Sequence, residues 1–183
     1  MANAKGISLI DMVKYLRSRR DEAAALLPSG LRQYLDKKIN IASWYPEEDM
    51  VALVRVVARL LPASGEEPLL TIGRLNARHH MAGAYRHLFD SPDLSGVPLR
   101  ARTLWQSMHD TGDFRVTLEE GEARADISGY GHPSREMCTM VGSYTEELFI
   151  AAGAKQLSSE HIACRLDGDA VCSYRIRWAG DGD

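Results

Sequence analysis

The hydrophobic periodicity of this chain changes once, near residue 110, and that change restricts the fold more than any other feature. Upstream, apolar residues recur at the spacing of amphipathic helices. Residues 8–27 carry Leu9, Ile10, Met12, Val13, Leu16, Ala23, Leu26 and Leu27 on such a stripe, and Pro28 stops it. Ser29 is placed to cap a second helix bearing Leu31, Tyr34, Leu35 and Ile39. Trp44-Tyr45-Pro46 reads as a corner before an acidic first turn, Glu47-Glu48-Asp49, suited to the helix dipole. The helix that follows shows Met50, Leu53, Val54, Val57, Leu60 and Leu61. After a loop over 62–68 the pattern predicts a helix over 69–89, broken by Asp90-Ser91-Pro92, and a shorter one from Pro98 to Gly112. Downstream the residues alternate. Phe114-Arg115-Val116-Thr117-Leu118 and Ala123-Arg124-Ala125-Asp126-Ile127 flank a turn on Gly121 and form a hairpin. Pro133-Ser134 opens a helix to Ala152, with Met137, Val141, Tyr144 and Leu148 on one face, and Gly153 ends it. The last strands cover about 157–165 and 171–178, with Ser173, Arg175 and Arg177 on the wet face; 179–183 is a tail.

This order specifies one α+β domain: a helical half (1–110) packed on a four-stranded antiparallel sheet built as hairpin, helix, hairpin (111–178). No strand is expected before residue 110. A chain of 183 residues can bury a proper core by itself. The net charge of −3 argues against a nucleic-acid footprint. Lys14, Arg17, Arg19 and Arg20 read as a solvated helical face. No apolar run approaches the ~20 residues of a membrane span, and the N-terminus lacks the apolar core of a signal peptide, so a cytoplasmic location is expected. Leu9, Val13, Leu16 and Leu31 are candidates for a two-fold homodimer interface.

All three cysteines lie near the C-terminus, and a histidine stands among them: Cys138, His161, Cys164 and Cys172. Cys164 and Cys172 flank an Asp167-Gly168-Asp169 turn, a strong hairpin signal. Counting outward from that loop pairs the two cysteines directly, with Cβ atoms roughly 4.5–5.5 Å apart on one face. Two thiols on a hairpin, one imidazole and one remote thiol make a tetrahedral zinc shell. In a regular strand His161 would face away from Cys164, so the geometry needs a bulge, or a strand beginning at His161. A dry cluster of buried cysteines is the competing reading.

The segment from Cys164 through Asp167-Gly168-Asp169 to Cys172-Ser173-Tyr174 resembles the C-terminal end of 4-vinyl reductase-type domains. These recur as sensor domains of bacterial activators that respond to phenol and related aromatic hydrocarbons. The resemblance implies a structural zinc. Cys138, Cys164 and Cys172 match the family's three cysteines, and His161 stands at its acidic ligand, with Glu160 as the alternative. Gly6, the amphipathic helix after it, and Trp44-Tyr45-Pro46-Glu47-Glu48-Asp49 resemble the start of haem-nitric-oxide-binding domains. Length and order also resemble a large paralogous family of myxobacterial proteins. The two domain types share a related α+β fold with trafficking subunits of the TRAPP complex.

His79, His80 and His87 lie where a haem ligand could sit, but the Tyr-x-Ser-x-Arg triplet that holds the propionates in the haem-binding family is missing. Haem is therefore not expected. There is no nucleophile elbow, phosphate loop or dinucleotide fingerprint, so no enzyme is expected either. Trp105, His80, His109, Tyr85, Phe89 and Tyr144 are candidates to line an apolar ligand pocket. The other Asp and Glu residues are assigned mostly to turns and caps. The expected function is a non-enzymatic sensory or regulatory module, stabilised by zinc, that binds a small apolar or aromatic molecule or a partner protein. A purely structural homodimeric interaction module without ligand is the alternative, and a tetrapyrrole-binding protein a further one.

Overall fold

A computed structural model describes residues 2–62 and 67–179. The helical half holds α1 (Gly6–Ser18), α2 (Arg20–Leu26), α3 (Glu47–Leu60), α4 (Pro68–Ala82) and α5 (Val97–Met108). The C-terminal half runs β3 (Asp113–Glu119), β4 (Glu122–Ser128), α6 (Arg135–Ala151), β5 (Lys155–Ala163) and β6 (Cys172–Ala179). Its four strands form one antiparallel sheet in the order β3-β4-β6-β5, and the architecture is the expected α+β one. Gly121 turns the first hairpin and Gly153 ends α6, both with positive φ that an L side chain rarely adopts. The Ser134 hydroxyl caps α6 by accepting from the Met137 amide at 3.2 Å.

Phe114, Val116, Ala123, Ala125, Ile127, Cys172, Tyr174 and Ile176 are buried on one sheet face and join the helices in a single core. The other face is a ladder of charges, with Arg177 and Arg175 on Glu122 and Arg124 on Asp126. Ser173 departs from that pattern. It is fully buried, held between Arg124 and Asp126, because two charged neighbours close over its hydroxyl.

Several local expectations are corrected. Two three-residue strands precede residue 110, β1 (Asn3–Lys5) and β2 (Trp44–Pro46), so the Trp-Tyr-Pro segment is an antiparallel partner of the N-terminus rather than a corner. The stripe over 8–27 breaks at Arg19, whose backbone leaves helical values. The break lets three arginines of the supposed solvated face donate to carbonyls: Arg17 to Tyr34, Arg19 to Leu60 and Arg20 to Leu35. The segment Ser29–Leu35 is a 3₁₀ helix. α4 stops at Ala82, and a separate 3₁₀ turn holds Arg86–Leu88. Leu9, Val13 and Leu16 are core, and Leu31 packs against it, so they form no free interface. Part of the 62–68 loop and all but the first residue of the tail lie outside the described residues. No described helix is long and apolar enough to cross a membrane.

Candidate metal centre and interior cavity

α6 delivers Cys138 from its first turn, and the last hairpin delivers the other three donors. The ladder closes with Ala163 opposite Ser173, which sets Cys164 one step further on, opposite Cys172. The register shifts between His161 and Ala163, and this irregularity puts His161 opposite Tyr174, on the face that Cys172 also occupies. The four donor atoms lie within 4.8 Å of one another. Cys138 Sγ is 3.8 Å from both Cys164 Sγ and Cys172 Sγ. A tetrahedron with zinc–sulfur arms of about 2.3 Å has sulfur–sulfur edges of about 3.8 Å, so the spacing suits a shared ion. It is far too long for a disulfide, and all three thiols are free.

The surroundings hold these donors in place. The His161 ring stacks on Tyr174 at 4.7 Å between centroids, and the Tyr174 hydroxyl donates to the Cys138 carbonyl at 2.7 Å. Asp169 accepts from the Cys164 amide at 2.8 Å. Arg135 pairs with Asp167 and places a guanidinium nitrogen 3.7 Å from Cys164 Sγ. Burial, then the two neighbouring thiols, pushes the Cys138 thiol well above the usual range. A divalent cation reverses this, because its charge stabilises the thiolates. Burial lowers the His161 pKa, which favours the neutral form that can ligate a metal. Glu160 is exposed, beside Arg175 at 3.7 Å, and outside the cluster.

A second feature lies between α1, α4, α5 and α6: a cavity of about 60 Å³ with mainly apolar walls. His80, Trp105, His109 and Tyr144 line it. Tyr85 and Phe89 do not. The Tyr85 hydroxyl takes a hydrogen bond from Ser107, and Phe89 packs beneath Arg100. His80 is buried rather than solvated. Its Nε2 faces the Ile7 carbonyl at 3.3 Å, which can only accept, so Nδ1 accepts from the Tyr144 hydroxyl at 3.1 Å. Burial holds His80 below its ordinary pKa. α4 and α6 close tightly behind the cavity because Gly73 has no side chain. A Cβ there would stand 2.0 Å from Ser143 Oγ and 2.4 Å from the Met140 carbonyl oxygen.

Sequence reasoning missed one constellation. Glu47, assigned to an acidic first turn, is fully buried, and His109 Nδ1 donates to its Oε1 at 2.6 Å. His109 stacks on Trp105 with centroids 4.2 Å apart, and the buried Tyr130 ring meets both edge-on. Burial, then the Glu47 charge, raises the Tyr130 pKa. No sequence signal separates Glu47 from the exposed Glu48 beside it; only the return of the N-terminal strand over this turn buries it. Glu147, also buried, receives Arg78 from α4.

No family model and no curated protein sequence matches this chain. Solved structures do. An H-NOX protein from S. oneidensis in its Fe(II)NO ligation state superposes with a TM-score of 0.68 at 14% identity, over 96% of this chain and 99% of that one. A structure described as probing heme distortion in the H-NOX family gives 0.68 at 12% identity, over 98% and 97%. An oxygen-binding H-NOX domain related to soluble guanylate cyclases, in its oxygen complex, gives 0.64 at 12% identity, over 94% and 92%. The chain therefore has the H-NOX fold along nearly its whole length.

This overturns the expectation that haem is foreign to the chain. That expectation rested on a missing propionate-binding triplet, which concerns how the rim of a macrocycle is held. It does not concern whether the fold accommodates one, and same-fold structures are described with heme and with Fe(II) ligation. Two buried imidazoles stand among the apolar walls of the cavity; both ring nitrogens of His80 are engaged, so His109 is the one that could serve a haem iron. With the side chains as they stand, a macrocycle requires those walls to part.

Proposed function

We propose that this protein is a non-enzymatic sensory module that binds a small ligand in the α4–α5–α6 cavity, with a structural zinc on Cys138, His161, Cys164 and Cys172. The observation that carries the reading is the double use of α6. Cys138 in its first turn joins the metal cluster, while Met137, Met140, Val141, Tyr144 and Leu148 on the same helix wall the cavity. A ligand that shifts α6 therefore acts directly on the last hairpin, and the hairpin acts back on the cavity. Four protein donors leave no open coordination position, which fits a structural role. The C-terminal resemblance to 4-vinyl reductase-type sensors supports the three cysteines of that set, with His161 at the position of the family's acidic ligand. Three unpaired thiols suit a reducing compartment such as the cytoplasm. Contact with a partner protein or a second copy falls to exposed apolar residues such as Leu75, Leu99 and Ile150.

Elemental analysis of untagged protein tests the metal, with one zinc per chain expected. Absence of metal together with three freely titrating thiols in the native state overturns it. A second reading, haem in the cavity on His109, is favoured by the same-fold heme structures. Such a group would supply an iron centre for a diatomic ligand. An absorption spectrum of protein expressed with added haem precursor decides it: a Soret band that H109A removes supports haem, and its absence leaves the first reading.

A further inference from the structure

One hydroxyl of the cavity wall is buried and has no hydrogen bond in the protein. Among the described residues four buried side-chain atoms have no hydrogen bond, on Ser8, Glu47, Asp113 and Tyr130, and of these residues only Ser8 lines the cavity. Ser8 stands in the first turn of α1, facing Gly73, Asn76 and His80 of α4, which share one helix face by spacing. His80 offers nothing further, since both its ring nitrogens are engaged, and as a neutral imidazole it adds no charge to that end. His109, the other titratable imidazole in the wall, has Nδ1 committed to Glu47. The remaining wall is largely methionine and leucine: Met50, Leu104, Met108, Met137, Met140 and Leu148. Unbranched thioether side chains adapt to the shape of an apolar guest.

We infer that the cavity takes a compact, uncharged molecule with an apolar body and a single hydroxyl or carbonyl, its polar end on Ser8 Oγ. This rests on the ligand-cavity reading above and narrows it to a chemical class. A buried hydroxyl left unsatisfied costs about 1–3 kcal/mol, and a ligand head that bonds to it removes that cost. An ammonium or carboxylate head meets no counter-charge at Ser8 and forfeits its hydration. At about 10–15 Å³ for each water-sized group, a cavity of about 60 Å³ suits a guest of roughly four to six non-hydrogen atoms.

The test is a matched pair of probes, cyclopentanol and methylcyclopentane, titrated by NMR into the full chain and into S8A. Removing an unsatisfied hydroxyl should leave the fold intact and the melting temperature of S8A equal to or above that of the parent. Expected is saturable binding of both probes, with S8A weakening cyclopentanol about tenfold and changing methylcyclopentane by less than about twofold. S8T, which restores a hydroxyl, should recover part of the loss for the alcohol alone. If S8A moves both probes alike, or neither, the head-group assignment falls while the cavity reading stands. If the cyclopentylammonium ion binds as well as the alcohol, the restriction to uncharged guests falls. If neither neutral probe binds the folded parent, the cavity reading falls with it.

Discussion

The Cys/His cluster, proposed to hold zinc, and the cavity share α6 but are built in opposite ways. The cluster draws its four donors from one helix turn and one hairpin, within residues 138–172. The cavity draws its walls from Ser8 to Leu148, through five helices and a strand. The cluster is thus a local device with one solution, since moving any donor by a residue turns it to the wrong face. The cavity is what remains where long-range packing is incomplete, so it tolerates change in any one wall. The first should behave as a clamp and the second as a soft spot.

The largest expected effect is on the clamp. C164S should lose the metal and lower stability by about 3 kcal/mol or more, because binding energy at a structural zinc is folding energy. Thermal unfolding should show a drop on the order of 10 °C, reproduced in the parent by a strong chelator. An unchanged melting temperature breaks the comparison, since the hairpin then holds α6 without metal.

L148A comes next. Leu148 is buried in the cavity wall, and its truncation should cost about 2–4 kcal/mol while enlarging the space. It should also tighten binding of a guest larger than cyclopentanol, measured by the same NMR titration. A full cost with no gain in binding means that the wall collapses, so the soft-spot description fails.

G73A should cost about 1–3 kcal/mol, because its Cβ drives α4 away from Ser143 and Met140. The zinc content should stay at one per chain. Loss of metal in G73A would show that the two regions are coupled more tightly than their shared helix implies.

The smallest effect is a pH slope. Burial depresses the folded-state pKa of His80. The unfolded chain titrates near 6.5 and binds more protons between that value and the folded one, so stability is full above about pH 6.5 and falls as the pH drops below it. Denaturant midpoints between pH 7.5 and 5 should show this decline, and H80Q should flatten part of it. A slope of opposite sign would mean that His80 is charged in the fold.

How much of this was legible follows from the reach of each interaction. The Asp-Gly turn, the cysteine spacing and the parity of strand residues place Cys164 against Cys172, and the parity conflict at His161 itself called for the irregularity that the ladder contains. The cavity was legible only in part. Trp105, His80, His109 and Tyr144 were visible as aromatic or titratable residues on apolar faces, whereas Ser8 and Asn76 look like any polar residues of a helix. Glu47 misled because a carboxylate in a first turn already has a sufficient local explanation.

The sequence by itself determined the helical half, the hairpin–helix–hairpin order and which cysteines and histidine come together, because periodicity, turns and caps act over a few residues. Tertiary structure decided the rest: the pairing of the N-terminus with Trp44–Pro46, the burial of Glu47 against His109, and the unpartnered Ser8 hydroxyl at the cavity wall. The physical reason is desolvation. Whether a polar side chain is solvated, paired or orphaned depends on which distant segment covers it, and no local pattern encodes that.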